Sequence, residues 1–262
     1  MEWFLSLCPA MQGLFATLFT YLVTAAGACL VFFFKDVKKA PLDLMMGFAA
    51  GVMIAASFWS LLSPAIDLAA RLGHNTWLTA AAGFCSGGLF IIISDLLLSK
   101  VSENEYKVKK YKQPLTLVGA MTLHNIPEGL AIGVAFGSAA MGIEGASVLS
   151  AMLLAFGIGV QNFPEGLCSA VPMRKAGASR MKSFLIGQSS GLVEPVSGVI
   201  GAIAAMSVRA ILPLALTFSA GAMIAVVCSE LIPESFADNK ALASVGVLAG
   251  FSVMMILDVA LG

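Results

Sequence analysis

Two short motifs near the middle of the sequence carry matching sets of polar side chains: His124-Asn125-Ile126-Pro127-Glu128-Gly129 and, 37 residues later, Gln161-Asn162-Phe163-Pro164-Glu165-Gly166. On a helix, residues four apart share a face and the next residue sits about 100° round. His124 and Glu128 therefore face one way with Asn125 beside them, and Gln161, Glu165 and Asn162 repeat the layout. One imidazole, three carboxamides and several carboxylates form a mixed nitrogen and oxygen donor set, which suits borderline divalent ions such as Zn²⁺, Fe²⁺, Mn²⁺ or Cd²⁺. No thiolate motif favours Cu(I). Cys8, Cys29, Cys85, Cys168 and Cys228 stand singly in apolar stretches and read as small buried residues, not as a disulfide framework. His74, in Gly73-His74-Asn75, reads as a surface residue.

Elements of membrane length must position these motifs. Of 262 residues, 59% are hydrophobic and only 11% charged, and the mean hydropathy is +0.93. That is more apolar surface than a soluble core of this size could hide. Segmenting at charges, Pro and Gly gives eight spans, roughly 11–34, 42–66, 76–99, 115–137, 146–171, 183–207, 211–233 and 241–261, in one transmembrane domain over residues 1–262. The expected fold is an all-α integral membrane protein with inverted-repeat character. The first span resembles a signal peptide, but Glu2 precedes it without Lys or Arg, and its apolar run continues through Phe34 to Lys35, so it is expected to cross the bilayer. No soluble domain is expected, and the longest polar stretch is Lys100 to Pro114.

Net charge is zero, but its distribution is uneven. Loops that alternate sides divide into one set with thirteen basic residues (Lys35, Lys38, Lys39, Lys100, Lys107, Lys109, Lys110, Lys112, Arg174, Lys175, Arg180, Lys182 and Lys240) and another with only Arg71 and Arg209. The positive-inside tendency then puts both termini outside the cytoplasm. The Lys-rich stretch reads as a solvated linker.

An ionised carboxylate at mid-membrane costs about 2.5–3.5 kcal/mol or more, and Glu128, Glu165, Glu194 and Glu230 all fall within spans. A bound cation would compensate them. The fourth and fifth spans run in opposite directions, so His124 lies opposite Glu165 and Glu128 opposite Gln161, with both carboxylates able to bridge ions. Pro127 and Pro164 each lack an amide hydrogen and free the carbonyl of Leu123 or Val160, so each motif reads as a Pro-broken helix. Unpaired backbone at membrane depth is tolerated where it lines a cavity, and broken helices at corresponding positions point to a transporter's binding site. Gly129 and Gly166 permit close helix approach or hinge motion.

These residues, with Gly187-Gln188-Ser189-Ser190-Gly191-Leu192-Val193-Glu194-Pro195 in span six, resemble the ZIP (Zrt/Irt-like) metal transporters, in particular short prokaryotic GufA-like members, over nearly the whole chain. The resemblance implies a ZIP-type bundle with a binuclear centre. One ion would be held by His124, Glu128, Gln161 and Glu165, the other by Asn125, Glu128, Asn162, Glu165 and Glu194, with Glu128 and Glu165 bridging. It also implies an outer path past Asp67, Ser60, Met53 and Met223, and an inner path by Glu230 and Glu234. Many relatives have His at the place of Gln161 and some have Asp at that of Asn162, so this site carries fewer nitrogens and less charge. The His-rich cytoplasmic loop of many eukaryotic relatives is absent.

The expected function is uptake of a divalent transition metal, zinc foremost, with iron, manganese and cadmium as further candidates, into the cytoplasm by alternating access. The setting is a cell membrane, the bacterial inner membrane in the prokaryotic resemblance. Zn²⁺ or a similar ion is substrate, and no cofactor is expected. No phosphate-binding G-x-x-x-x-G-K-[ST] loop occurs, so no nucleotide is expected to drive flux, nor does nucleic acid enter as a partner. Membrane lipid is the expected surrounding, and the family makes a homodimer plausible. The principal alternative is an intramembrane metal-dependent hydrolase. It is disfavoured because H-E-x-x-H is missing and catalytic metal sites usually need three protein ligands and a general base. A receptor that binds ions without moving them, and an efflux carrier, are further alternatives.

Overall fold

A computed structural model describes residues 2–33, 39–104, 112–143, 146–207 and 209–261. Among them every regular element is a helix. After a short helix, Glu2–Leu5, eight long helical segments follow: α1 (Pro9–Phe32), α2 (Lys39–Arg71), α3 (Thr76–Asn104), α4 (Lys112–Ala140), α5 (Val148–Lys175), α6 (Arg180–Ser207), α7 (Leu212–Ser235) and α8 (Lys240–Ala260). Seven of them, all but α4, are long and apolar enough to cross a membrane. The helix α4 has the length, at 29 residues, but His124, Asn125 and Glu128 dilute its hydropathy.

The polar stretch after α3 is more helical than its composition suggests. The helix α3 continues to Asn104 and α4 begins at Lys112, because Ser, Lys and Glu sustain a helix once water can solvate them. Lys35, Lys38, Lys107, Lys109 and Lys110, and the side chains of Lys100, Lys112 and Arg209, lie outside the described residues.

Helices α1, α4, α5 and α6 pack mutually, with α4 against α6 and α1 against α5. The others form two tight pairs, α2 with α8 and α3 with α7, joined to the first set where α2 meets α5 and α7 meets α4. This list of partners is unchanged when α1 is exchanged with α6, α2 with α7, α3 with α8 and α4 with α5, which is the inverted-repeat character expected from the sequence. Burial follows the same order. In their most apolar windows α2 and α7 are 61% buried, whereas α3 and α8 are only 17% and 22% buried. Leu89, Ile92, Ile93, Leu96 and Leu97 of α3 are exposed, as suits a face turned to lipid.

Glycine makes the tightest seams. A Cβ on Gly166 would strike the backbone of Thr24 in α1, and one on Gly129 would strike the Ser197 hydroxyl and the Glu194 backbone in α6. Only glycine permits such approach, which decides between packing and hinge for these two in favour of packing.

One sequence expectation needs correction. Pro127 and Pro164 sit inside helices that run without interruption, Lys112–Ala140 and Val148–Lys175, so neither motif is a broken helix. Removing one amide hydrogen costs one helical hydrogen bond, which neighbouring helices can offset without ending the helix. The departures from α-helix lie elsewhere, at π turns Ser57–Leu62, Val227–Leu231 and Leu257–Leu261. Pro64 and Pro233 follow the first two and deprive the Ser60 and Ser229 carbonyls of their usual donors.

Candidate metal centre

Both motifs face the interior, from α4 and α5. His124, Asn125, Glu128, Gln161, Asn162, Glu165 and Glu194 are all buried, none more than 4% exposed. The Gln161 amide nitrogen donates to Glu128 Oε1 at 2.6 Å, which joins the motifs as the antiparallel pairing anticipates. The Asn162 amide donates to Glu194 Oε1 at 2.9 Å, bringing α6 to the same place. The Thr20 hydroxyl of α1 donates to Glu194 Oε2. Glu165 and Glu194 both act electrostatically on Glu128, so three carboxylates share one buried region.

Five atoms in this region have no hydrogen-bond partner: His124 Nε2, Asn125 Oδ1, Glu128 Oε2, Gln161 Oε1 and Asn162 Oδ1. The four oxygens carry lone pairs, and the imidazole nitrogen offers one in the tautomer protonated at Nδ1. Buried polar atoms are normally paired, and an unpaired one costs about 1–3 kcal/mol. Five such atoms, one of them on Glu128, beside the carboxylates of Glu165 and Glu194 are a liability in an empty protein and a ligand set in a metal-loaded one. The donor chemistry thus fits a divalent cation.

His124 also faces a second group. A ligand atom from each of Asp95 (α3), His124 and Glu230 (α7) lies within 4.8 Å of the others. Glu230 thus lies near the imidazole, with Asp95 as an addition. Asp95 was within reach of sequence reasoning, because the cost argument that singles out four glutamates applies equally to a carboxylate in the apolar run of α3.

At the end of the bundle that carries the α4–α5 turn there is a cavity of about 190 Å³ lined by Ser60, Ser138, Ser147 and Asp258, among others. The Ser60 hydroxyl donates to Asp258 Oδ1 at 2.7 Å, while Asp258 Oδ2 is buried without a partner. Asp258 is the second addition to the expected set, and it lies in the π turn of α8. Met53 and Met223 are fully buried in the core. Asp67 and Glu234 are exposed near the ends of α2 and α7. Thr20 is the third addition, and threonine hydropathy gives no sign that its hydroxyl meets a carboxylate from a helix 174 residues away.

Membrane-length helices enclosing unpaired polar atoms that suit a cation define the class, a multi-pass integral membrane protein with a candidate metal centre among its buried side chains. The comparisons with known proteins place it more narrowly. The chain matches the ZIP zinc transporter family over residues 110–258. It is 38% identical to zinc transporter ZIP11 of Homo sapiens, spanning 96% of this chain and 97% of that protein. It is 35% identical to zinc transporter GufA of Myxococcus xanthus, spanning 95% and 99%. A third relative, zinc transporter ZIPB of Bordetella bronchiseptica, is 34% identical over 92% of this chain and 79% of its own. The chain therefore belongs to the ZIP family, a family of transporters and not of enzymes.

Proposed function

We propose that residues 1–262 form a single transporter domain that carries Zn²⁺ and related divalent ions into the cytoplasm by alternating access, through a binuclear centre midway across the membrane. The five unpaired lone-pair atoms on two opposed motifs carry this reading. His124, Glu128, Gln161 and Glu165 would hold one ion, and Asn125, Glu128, Asn162, Glu165 and Glu194 the other. The helix α4 would be the eighth crossing. Both termini would lie outside the cytoplasm, in a bacterial inner membrane.

An ion would arrive through the cavity at Ser60 and Asp258, where a buried free carboxylate oxygen replaces part of its water shell. Met53, seven residues before Ser60 on α2 and so about 10 Å along the helix, would close the route with Met223. From the centre the ion would pass to Asp95 and Glu230 and then to Glu234. The packing supports the rearrangement this needs. Backbone-to-backbone glycine contacts occur within the set α1, α4, α5 and α6, as at Gly166 and Gly133, and within the pairs α2–α8 and α3–α7, as at Gly51 and Gly87. Where α5 meets α8, the neighbour of Gly157 is a Met254 side chain, and flexible side chains yield where backbone seams do not.

Proteoliposomes containing the purified protein, supplied with external Zn²⁺ or Cd²⁺ and no nucleotide, test the reading. Uptake is expected in the wild type and its loss in a Glu128→Ala, Glu165→Ala double variant. Equal flux in both would sink it.

A further inference from the structure

On α5, Cys168 lies three residues past Glu165, toward the end expected to face the cytoplasm. Its thiol donates to the Met46 thioether of α2, with the sulfurs 2.9 Å apart. Both residues are buried. One turn before Met46, Asp43 is also buried at 5% exposure, and its Oδ2 has no hydrogen-bond partner. The carboxylates of Glu165, Glu234 and Asp43 all act electrostatically on the thiol. Two touching sulfurs on α5 and α2, with a buried unpaired carboxylate oxygen one turn away on α2, thus lie within electrostatic reach of Glu165 of the centre and Glu234 near the end of α7.

Packing alone would explain two sulfurs filling space. It does not explain a buried carboxylate oxygen left unpaired one turn from Met46 and acting on the thiol, which is costly unless a ligand takes it. We propose that Cys168, Met46 and Asp43 form a further cation site, a soft station that receives thiophilic divalent ions such as Cd²⁺ or Zn²⁺ as they leave the centre. This inference rests on the reading of the centre as a transport site. On binding, the ion takes the place of the thiol proton, which leaves to water, and a metal–thiolate bond forms; the thioether and carboxylate give lone pairs, and nothing is oxidised or reduced. Mn²⁺ gains little from sulfur, so the station discriminates among ions that the nitrogen and oxygen donors of the centre accept alike.

Cadmium reports the site by the ultraviolet charge-transfer absorption of a Cd–thiolate bond. The remaining cysteines are exposed or half-buried, so the measurement uses full-length protein carrying Cys8→Ser, Cys29→Ser, Cys85→Ser and Cys228→Ser. Titration of this protein in lipid nanodiscs with CdCl₂ is expected to raise the band to a saturating value. Further change of Cys168→Ser removes it, and Met46→Leu or Asp43→Asn weakens Cd²⁺ affinity by about tenfold. In proteoliposomes, Cys168→Ser on the otherwise unaltered chain is expected to lower the ratio of Cd²⁺ to Mn²⁺ uptake by about tenfold. Absence of the band in the protein retaining only Cys168, or an unmoved uptake ratio in the Cys168→Ser variant, overturns the station. A band without any ion flux would instead refute the transport reading and leave the site in place.

Discussion

Replacing Thr20 with valine should destabilise the metal-free protein and leave the zinc-loaded protein nearly unharmed. The two side chains have similar shape, so the change removes little but the hydroxyl. That hydroxyl donates to Glu194 Oε2, and Glu194 is fully buried. Its loss leaves Glu194 with only the Asn162 amide, on Oε1, and the Thr24 hydroxyl as side-chain partners. A hydrogen bond to a charged group contributes about 1.5–3 kcal/mol, and for a chain of this size each kcal/mol moves the melting temperature by about 2–4 °C. The expected fall is therefore about 3–12 °C in EDTA. With saturating Zn²⁺ it should shrink to a small fraction of that, because an ion held by Glu194 supplies the missing partner. Thermal melts of purified protein, with EDTA or with Zn²⁺, measure both. Gly166→Ala should act similarly by another route: a Cβ there collides with the Thr24 carbonyl, and α1 must retreat by more than about 1 Å, taking Thr20 away from Glu194. An equal fall with and without Zn²⁺ in Thr20→Val would refute the assignment of Glu194 as a ligand, and no fall at all would refute the bond.

Further predictions concern the ends and the selectivity of the route. Asp258→Asn removes the charge from the outer cavity and is expected to raise KM for Zn²⁺ uptake by about tenfold with little change in kcat, since the loss is one of local ion concentration. Asp95→Asn should instead lower kcat, because an ion reaching His124 has one fewer carboxylate to receive it; uptake kinetics in proteoliposomes separate the two patterns. Gln161→His adds a nitrogen beside Glu128, where the native amide lies at 2.6 Å, and should shift competitive uptake from Mn²⁺ toward Zn²⁺ by about tenfold. Unaltered selectivity would count against Gln161 as a ligand.

The apolar runs made the helices legible because lipid demands about twenty apolar residues for each crossing. The pairing of α4 with α5 was legible because a repeated motif on antiparallel helices leaves few ways to match, and the Gln161–Glu128 bond is one of those anticipated. What escaped depends on contacts between distant helices. Thr20 is unremarkable in hydropathy, and only the fold reveals its carboxylate partner. The π turns have no motif of their own, and the prolines that flank two of them read as ordinary helix punctuation. Pro127 and Pro164 misled in the opposite sense, since a proline in a tightly packed helix removes a bond without breaking the rod. Asp95 and Asp258 stand alone in apolar runs, and neither has a repeated neighbour to draw the eye.

The exchange of α2 with α7 and α3 with α8 that leaves the packing unchanged also relates the two ends of the route. The π turn of α2 falls on that of α7, each followed by a proline, Pro64 and Pro233. The cavity pair Ser60–Asp258 and the group that joins Glu230 to Asp95 thus sit at corresponding turns of the two tight pairs. On the alternating-access reading, each half would take up the other's shape in turn, and direction would follow from where the two copies differ. In the register of Pro64 and Pro233, Ser60 matches Ser229 and Glu230 has Leu61 as its counterpart, so on that reading a cation would be held more strongly at the α7 turn.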